Sequence, residues 1–256
     1  MPKWDPDQYL RFERERALPS RDLLSRMAGR TPARIVDLGC GTGTSTRLLR
    51  ERWPKAHLAG LESSAEMISA ARKGDPSIEW VVGDIRSWRA AIPFDLIFSN
   101  AALHWVPDHA ELFPRLVRQL TPGGTLAVQM PTNSGSPAAR CIREVAAAPK
   151  WSSRWATDGS NATVGAPDFY YDLLAPVASQ VELWQTEYEH VLSDASAILE
   201  WVKGTTLRPY LDALSSPEDQ EAFLEQIRAG LATVYPSRPD GKVLFPFRRL
   251  FLVVTR

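Results

Sequence analysis

The run Val36-Asp37-Leu38-Gly39-Cys40-Gly41-Thr42-Gly43 constrains this chain more than any other stretch. Ile35 to Leu38 reads as a buried strand. Glycine at three alternate positions after it lets the backbone take φ > 0 and removes the Cβ atoms that would hold a ligand away. Thr44-Ser45-Thr46-Arg47-Leu48-Leu49 then opens a helix. Strand, glycine turn and helix in this order can lay a nucleoside cofactor against bare backbone. A dinucleotide fingerprint, G-x-G-x-x-G, needs its third glycine where this sequence has Thr44; here that glycine comes one position early, at Gly43. Asp37 also disfavours a diphosphate, because a carboxylate at the strand end repels phosphate oxygens and suits an amine or a sulfonium.

The spacing D-x-G-x-G-x-G resembles motif I of the class I S-adenosylmethionine-dependent methyltransferases. Two acidic positions downstream fit. His57 to Glu62 reads as a second strand ending in an acid, at about the interval where nucleotide folds place a carboxylate for the ribose hydroxyls. The alternative is that Ser63 or Ser64 caps the next helix and Glu62 favours its dipole. Ile78 to Val82 reads as a third strand running into Gly83-Asp84-Ile85. There the resemblance sets Asp84 against the adenine amino group and Ile85 against its ring, with a plain turn as the alternative. The resemblance thus implies S-adenosyl-L-methionine as cofactor, S-adenosyl-L-homocysteine as product, and contacts from Asp37, Gly39, Cys40, Gly41, Glu62, Ser63, Asp84, Ile85 and Asn100. Cys40 itself reads as a small turn residue rather than a nucleophile.

Length and charge narrow the remaining classes. At 256 residues the chain can bury a large core and still carry a substrate-covering insertion. Thirty basic and thirty acidic residues cancel, leaving no global field to hold nucleic acid or an anionic membrane. The two cysteines, Cys40 and Cys141, suit a reducing compartment better than a disulfide framework. The N-terminus is polar where a signal peptide would be apolar, and no apolar run approaches the ~20 residues of a membrane helix. A soluble, cytoplasmic, monomeric protein is expected.

From Arg34 to Met130 short β-rich runs alternate with helical stretches, the pattern of a parallel sheet with crossovers. The runs are Ile35–Leu38, His57–Glu62, Ile78–Val82, Phe94–Ser99 and Thr125–Met130. A helix over Glu111–Leu120 should stop at Thr121-Pro122-Gly123-Gly124. Gln180–Tyr188 and Leu244–Thr255 read as further strands, an antiparallel edge pair, and Ala195–Leu214 and Pro217–Val234 as helices. The expected fold is α/β: a Rossmann-like seven-stranded sheet, mostly parallel with an antiparallel last strand, helices on both faces, plus a mainly helical substrate cap. Its expected divisions are an N-terminal helical cap segment at 1–30, the cofactor-binding core at 31–131, and 132–256 holding the rest of the sheet with the inserted cap.

The segment Phe98-Ser99-Asn100-Ala101-Ala102-Leu103-His104-Trp105 lies at the carboxyl end of the fourth strand, where open α/β sheets bind ligands. Asn100, His104 and Trp105 are therefore the candidates to shape the transfer site; the alternative is that His104 and Trp105 cap and pack the next helix. This segment, with the opening Trp4-Asp5-Pro6-Asp7-Gln8-Tyr9-Leu10-Arg11-Phe12 and the closing Phe245-Pro246-Phe247-Arg248-Arg249-Leu250-Phe251, is similar to the bacterial trans-aconitate methyltransferases. That resemblance implies methyl transfer to a carboxylate of a small polycarboxylate, giving a monomethyl ester. Such a carboxylate, with a pKa near ~4, is ionised at neutral pH and needs no general base. Arginine forks suit an acceptor of this charge. Candidate partners are Tyr9, Arg11, Arg14, Arg16, Lys203, Arg208, Tyr210, Arg248 and Arg249. Arg11, Glu13, Arg14, Glu15 and Arg16 form a mixed charge run of the kind that marks an exposed helix face; Arg248 is better placed, because a charge inside an apolar β-run is costly unless paired, with an internal salt bridge as the rival role. The other readings are a methyltransferase of this fold with another small acceptor, a cofactor-binding protein without turnover, and, least fitting, an NAD-dependent dehydrogenase.

Overall fold

The computed structural model of the chain describes residues 13–155, 164–204 and 206–256. Among these, β1 (Arg34–Leu38), β2 (His57–Glu62), β3 (Glu79–Val82), β4 (Phe94–Asn100), β5 (Leu120–Pro131), β6 (Gln180–Leu192) and β7 (Val243–Thr255) form one sheet. Their order is β3-β2-β1-β4-β5-β7-β6. The first five pair in parallel, and β7 runs antiparallel to β5. Consecutive residues of β1 and β4 are buried, which requires cover on both faces. α1 (Glu13–Ser25), α2 (Thr44–Arg52), α3 (Ala65–Gly74), α4 (His109–Arg118) and α6 (Pro167–Leu174) accompany the sheet, while α5 (Pro137–Ala146), α7 (Ala195–Lys203), α8 (Arg208–Ala213) and α9 (Pro217–Val234) lie in its later insertions. This is the Rossmann-like α/β arrangement expected from the alternation of runs.

Two compact units are present. One comprises Arg14–Pro131, Ala162–Thr186 and Arg249–Arg256, and its core joins Val36, Leu38, Ile97, Leu126 and Leu252 of the sheet to Leu112, Phe113 and Leu116 of α4. The other takes in Thr132–Asn161 and Glu187–Arg248 and centres on Ile142, Trp151, Trp201, Phe223 and Ile227.

Two local readings change. The helix expected over Ala195–Leu214 is two: α7 ends at Gly204, and Pro209 at the start of α8 has no N–H to continue a helical ladder. Thr121-Pro122-Gly123-Gly124 does not separate helix from strand; it lies inside β5 as an irregularity, where the pairing with β4 shifts between Phe94 and Leu96 and Gly123 takes φ +75°. Helices α5 and α6 fall on stretches to which the sequence reading assigns no element, and Ser136 caps α5 by accepting from the Ala139 N–H.

Candidate active site

β1 has β2 on one side and β4 on the other, so the chain reverses direction of build at this pair, the place where open α/β sheets take ligands. The glycine turn leaves β1 here, and the segment from Asn100 to Trp105 leaves β4 beside it. Gly39 stands at φ +74°, and a Cβ added to it would fall 2.2 Å from the Ala102 Cβ. Gly43 is at φ +86°, and its Cβ would lie 2.7 Å from the Trp80 ring. Close approach as well as φ therefore demands glycine at both positions. The Gly39 and Cys40 N–H groups donate to the Leu61 carbonyl at 2.8 and 3.1 Å, and Ser99 Oγ donates to the Leu38 carbonyl at 2.8 Å. These bonds fix the turn against the ends of β2 and β4.

Asp37 is fully buried beneath the turn. Its Oδ2 accepts from Ser45 Oγ and Thr46 Oγ1, each at 2.7 Å, in the first turn of α2. Oδ1 accepts no hydrogen bond from the described residues. Burial lifts the carboxyl from 3.8 to about 6, the two hydroxyls pull it down, and the nearby Glu62 charge adds to the rise. A shielded carboxylate with one bare oxygen favours a cationic donor.

Glu62 joins two elements. Its Oε1 accepts from the Ser63 N–H at 2.7 Å, Ser63 Oγ at 3.0 Å and the Ser64 N–H at 3.0 Å, while Oε2 takes the Gly41 N–H at 3.3 Å. Ser64 caps α3 by accepting from Met67 N–H, as the alternative reading of this stretch required. A carboxylate offers about four lone-pair sites, so Oε2 retains acceptor capacity facing the turn. Asp84 is held by the Arg86 guanidinium, with Nε at 2.8 Å, and by the Arg86 N–H at 2.8 Å; these interactions keep it below the usual carboxylate range. Ile85 is buried, and its Cδ1 lies 3.7 Å from the Cβ position built on Gly39, so its side chain lines the same turn. Cys40 is buried too, and desolvation raises its thiol far above the ordinary value, so it stays protonated.

Past β4, Ala101 takes φ +53° and Leu103–Trp105 form one 3-10 turn. Asn100 Oδ1 is buried and accepts no hydrogen bond from the described residues. The His104 and Trp105 rings lie 4.7 Å apart. Burial first, then the positive charge of Arg249 and the neighbouring His109, pull the His104 imidazole from 6.5 down to about 3, so it is neutral at physiological pH. His109 fastens this segment from behind. Its Nε2 donates to the Leu103 carbonyl at 2.9 Å, which leaves Nδ1 to accept from the Tyr170 hydroxyl at 2.6 Å; that hydroxyl in turn accepts from the Gly165 N–H at 3.1 Å.

Several acceptor-side candidates already have partners. Lys203 Nζ lies 2.9 Å from Glu200, Arg208 Nε 3.0 Å from Asp212, and Arg248 Nη2 3.1 Å from Glu187. Tyr210 is buried in an aromatic cluster with Trp155 and Phe223. Tyr9 and Arg11 lie outside the described residues, as do the side chains of Arg14 and Arg16. The burial argument applied to Arg248 attaches instead to Arg249. The Arg248 side chain is 55% exposed and ion-paired, whereas Arg249 is 5% exposed and places Nη1 3.5 Å from Gln129 Oε1. Sequence reasoning also passed over Gln129, Ala102 and the Ser45–Thr46 pair. Strand parity was the available signal for Arg249, which alternates in step with Val243, Phe245 and Phe247.

The described residues contain no group of three or more His, Cys, Asp or Glu arranged to hold a metal ion, and no described helix is long and apolar enough to cross a membrane. Residues 35–124 match the family described as methyltransferase domain. Over its full length the chain is 52% identical to the trans-aconitate 2-methyltransferase of Azoarcus sp. strain BH72, covering all of both chains. The chain belongs to the trans-aconitate 2-methyltransferase family. Another member, from Rhodopseudomonas palustris strain BisB18, is 45% identical over all of both chains. Among solved structures, the YcgJ protein from Bacillus subtilis matches with a TM-score of 0.60 at 15% identity, over 93% of this chain and 98% of that one. Likeness at that distance concerns the fold alone.

Proposed function

We propose that this protein is an S-adenosylmethionine-dependent O-methyltransferase that esterifies one carboxylate of trans-aconitate, or of a close small polycarboxylate, and releases S-adenosylhomocysteine. The observation that carries the reading is the bare Asp37 oxygen behind the glycine cradle, in a chain whose family members bear this name along their whole length. The bound donor supplies an electrophilic methyl carbon on a sulfonium. Asp37 faces its positively charged amino-acid end, with Gly39, Cys40 and Gly41 letting it approach the backbone. Glu62 and Ser63 take the ribose hydroxyls, Asp84 the adenine amino group, and Ile85 covers the ring. Asn100, His104 and Trp105 shape the place of transfer. An ionised carboxylate needs no base to attack a methyl group, so the neutral His104 suits the reaction. The residues then contribute alignment and exclusion of water.

The acceptor roles of Lys203, Arg208 and Arg248 carry a condition: an incoming carboxylate would have to displace Glu200, Asp212 or Glu187. Tyr9, Arg11 and Tyr210 remain acceptor candidates by residue type and by their place in the N-terminal and cap segments. A reducing cytoplasm fits two buried cysteines that form no disulfide. Release of S-adenosylhomocysteine over a panel of acids, amines and phenols tests the assignment. Turnover confined to polycarboxylic acids is expected; turnover of amines or phenols with no acid accepted removes the substrate.

A further inference from the structure

The segment between β4 and α4 is bracketed by two strained residues. Ala101 takes φ +53° and Asp108 φ +58°, and these are the two non-glycine residues at positive φ among the described residues. Such backbone is costly for a residue with a Cβ, and it persists only where its surroundings over-determine it. Ala101 is fixed by its N–H, which donates to the Gln129 carbonyl at 2.9 Å. Ala102, next to it, fills the space where a Gly39 side chain would stand. The other restraint comes from His109, the buried first residue of α4. Its ring reaches back six residues, and Nε2 donates to the Leu103 carbonyl, which also accepts from the Val106 N–H at 2.9 Å. A carbonyl only accepts, so Nε2 carries the proton. Tyr170 secures that tautomer: its hydroxyl accepts from the Gly165 N–H, and its own proton goes to Nδ1. Phe113, with ring centres 5.0 Å from both His109 and Tyr170, holds the two in place. Burial keeps the imidazole below its ordinary range, in the neutral form this pattern requires.

We infer that His109 is a positioning residue for methyl transfer: by holding the Leu103 carbonyl it keeps the chain from Ala101 to Asp108 in its strained course, and so fixes where His104 and Trp105 stand relative to the glycine turn. The assignment rests on the proposed transfer site and deepens it by naming what holds that site. His109 acts through Leu103 and takes no part in the chemistry. Both ring nitrogens are engaged, one by a carbonyl and one by a phenol, and neither is left to exchange a proton with the acceptor. The rival role is that of a core histidine whose hydrogen bonds serve stability alone. The two roles part on the Leu103 bond: stability counts both hydrogen bonds alike, whereas alignment of the reacting atoms depends on the one that reaches the segment carrying His104 and Trp105.

Steady-state kinetics with trans-aconitate and S-adenosylmethionine, for wild type, His109→Gln and His109→Asn, test the inference alongside thermal unfolding and calorimetric titration with S-adenosylhomocysteine. Glutamine carries an amide N–H near the place of Nε2 and keeps the bond to Leu103; asparagine carries its carbonyl oxygen near the place of Nδ1 and keeps the bond to Tyr170. His109→Asn should lower kcat about 10- to 100-fold, as a misplacement of up to about 1 Å does, with the KM of trans-aconitate and the Kd of S-adenosylhomocysteine within about threefold. His109→Gln should restore kcat to within about threefold of wild type, although its melting temperature falls as far as that of His109→Asn. Tyr170→Phe leaves the ring in place but frees its tautomer, and covers the case in which a His109 variant does not fold; its kcat should fall more than either KM. Equal kcat in the two His109 variants, a loss carried by KM, or an unchanged kcat in Tyr170→Phe overturns the assignment while the substrate reading stands. A wild-type protein that methylates neither trans-aconitate nor another polycarboxylate overturns both.

Discussion

The glycine turn after β1 and the opening half of β7 both place a charge where solvent cannot reach it, yet they do so by different means. At the turn, backbone geometry leads: Gly39 is fixed by φ +74° and by an approach that leaves no room for a Cβ, and Asp37 is locked beneath it by two hydroxyls of α2. On β7 the backbone is ordinary extended chain, and strand parity alone decides that Arg249 is buried while Arg248 is exposed and paired with Glu187. A turn of the first kind announces itself by residue type. A buried charge of the second kind is visible only once the faces of the strand are known.

The sharpest way to break this comparison is Gly39→Ala. The added Cβ meets Ala102 in a backbone conformation that L residues rarely adopt, so a loss of about 3 kcal/mol or more in stability is expected, with S-adenosylhomocysteine binding abolished. Thermal unfolding and calorimetry read the two effects; a variant with native affinity would show that the turn is not the cradle.

Asp37 sharpens it further through pH. Its carboxyl titrates at about 6 in the folded chain instead of 3.8, so between those values the folded state binds more protons than the unfolded one. This group therefore makes the ligand-free protein lose stability as pH rises from about 4 to about 6, by about 3 kcal/mol in all. A cationic ligand at Oδ1 favours the ionised form. S-adenosylmethionine should accordingly bind about tenfold more tightly at pH 7.5 than at pH 5, and Asp37→Asn should flatten that dependence. A wild-type affinity that does not change with pH would place the donor's positive end elsewhere.

Smaller effects belong to the support behind the transfer segment. Tyr170→Phe removes the hydroxyl shared by His109 and Gly165, at a cost of about 1–2 kcal/mol by denaturant unfolding, with kcat lowered more than the KM of either substrate. An unchanged kcat would reduce this hydrogen-bond chain to general stability. Smallest of all is Arg248→Ala, for which acceptor KM should move less than about threefold, in keeping with an exposed ion pair. A larger shift would mean that Glu187 yields Arg248 to the acceptor and that the parity argument misplaces the charge.

Much of the sheet was legible because buried parallel strands are short apolar runs between turn residues, and Ile35–Leu38 and His57–Glu62 needed nothing more. The break at Gly204 and Pro209 carried a breaker signal that a helical reading of Ala195–Leu214 overrode. The irregularity in β5 was not legible, since Thr121-Pro122-Gly123-Gly124 has the composition of a helix stop and only its pairing with β4 makes it part of a strand. At the site, Asp37, Glu62 and Asp84 stood out as acids at strand ends. Their partners did not: Ser45 and Thr46 gain meaning only when α2 folds back over Asp37, and Gln129 meets Arg249 across 120 residues of chain. The sequence also offered no measure of crowding, and it was the Ala102 contact that turned Gly39 from a permissive residue into a required one.

The central claim is that the turn between β1 and α2 grips the methyl donor, and calorimetric titration of the folded protein with S-adenosylhomocysteine tests it most directly. The account predicts a saturable heat with one site per chain, lost in Gly39→Ala and weakened about 10- to 100-fold in Asp37→Ala. Absence of any binding heat with wild type, across a range of temperatures, would contradict it.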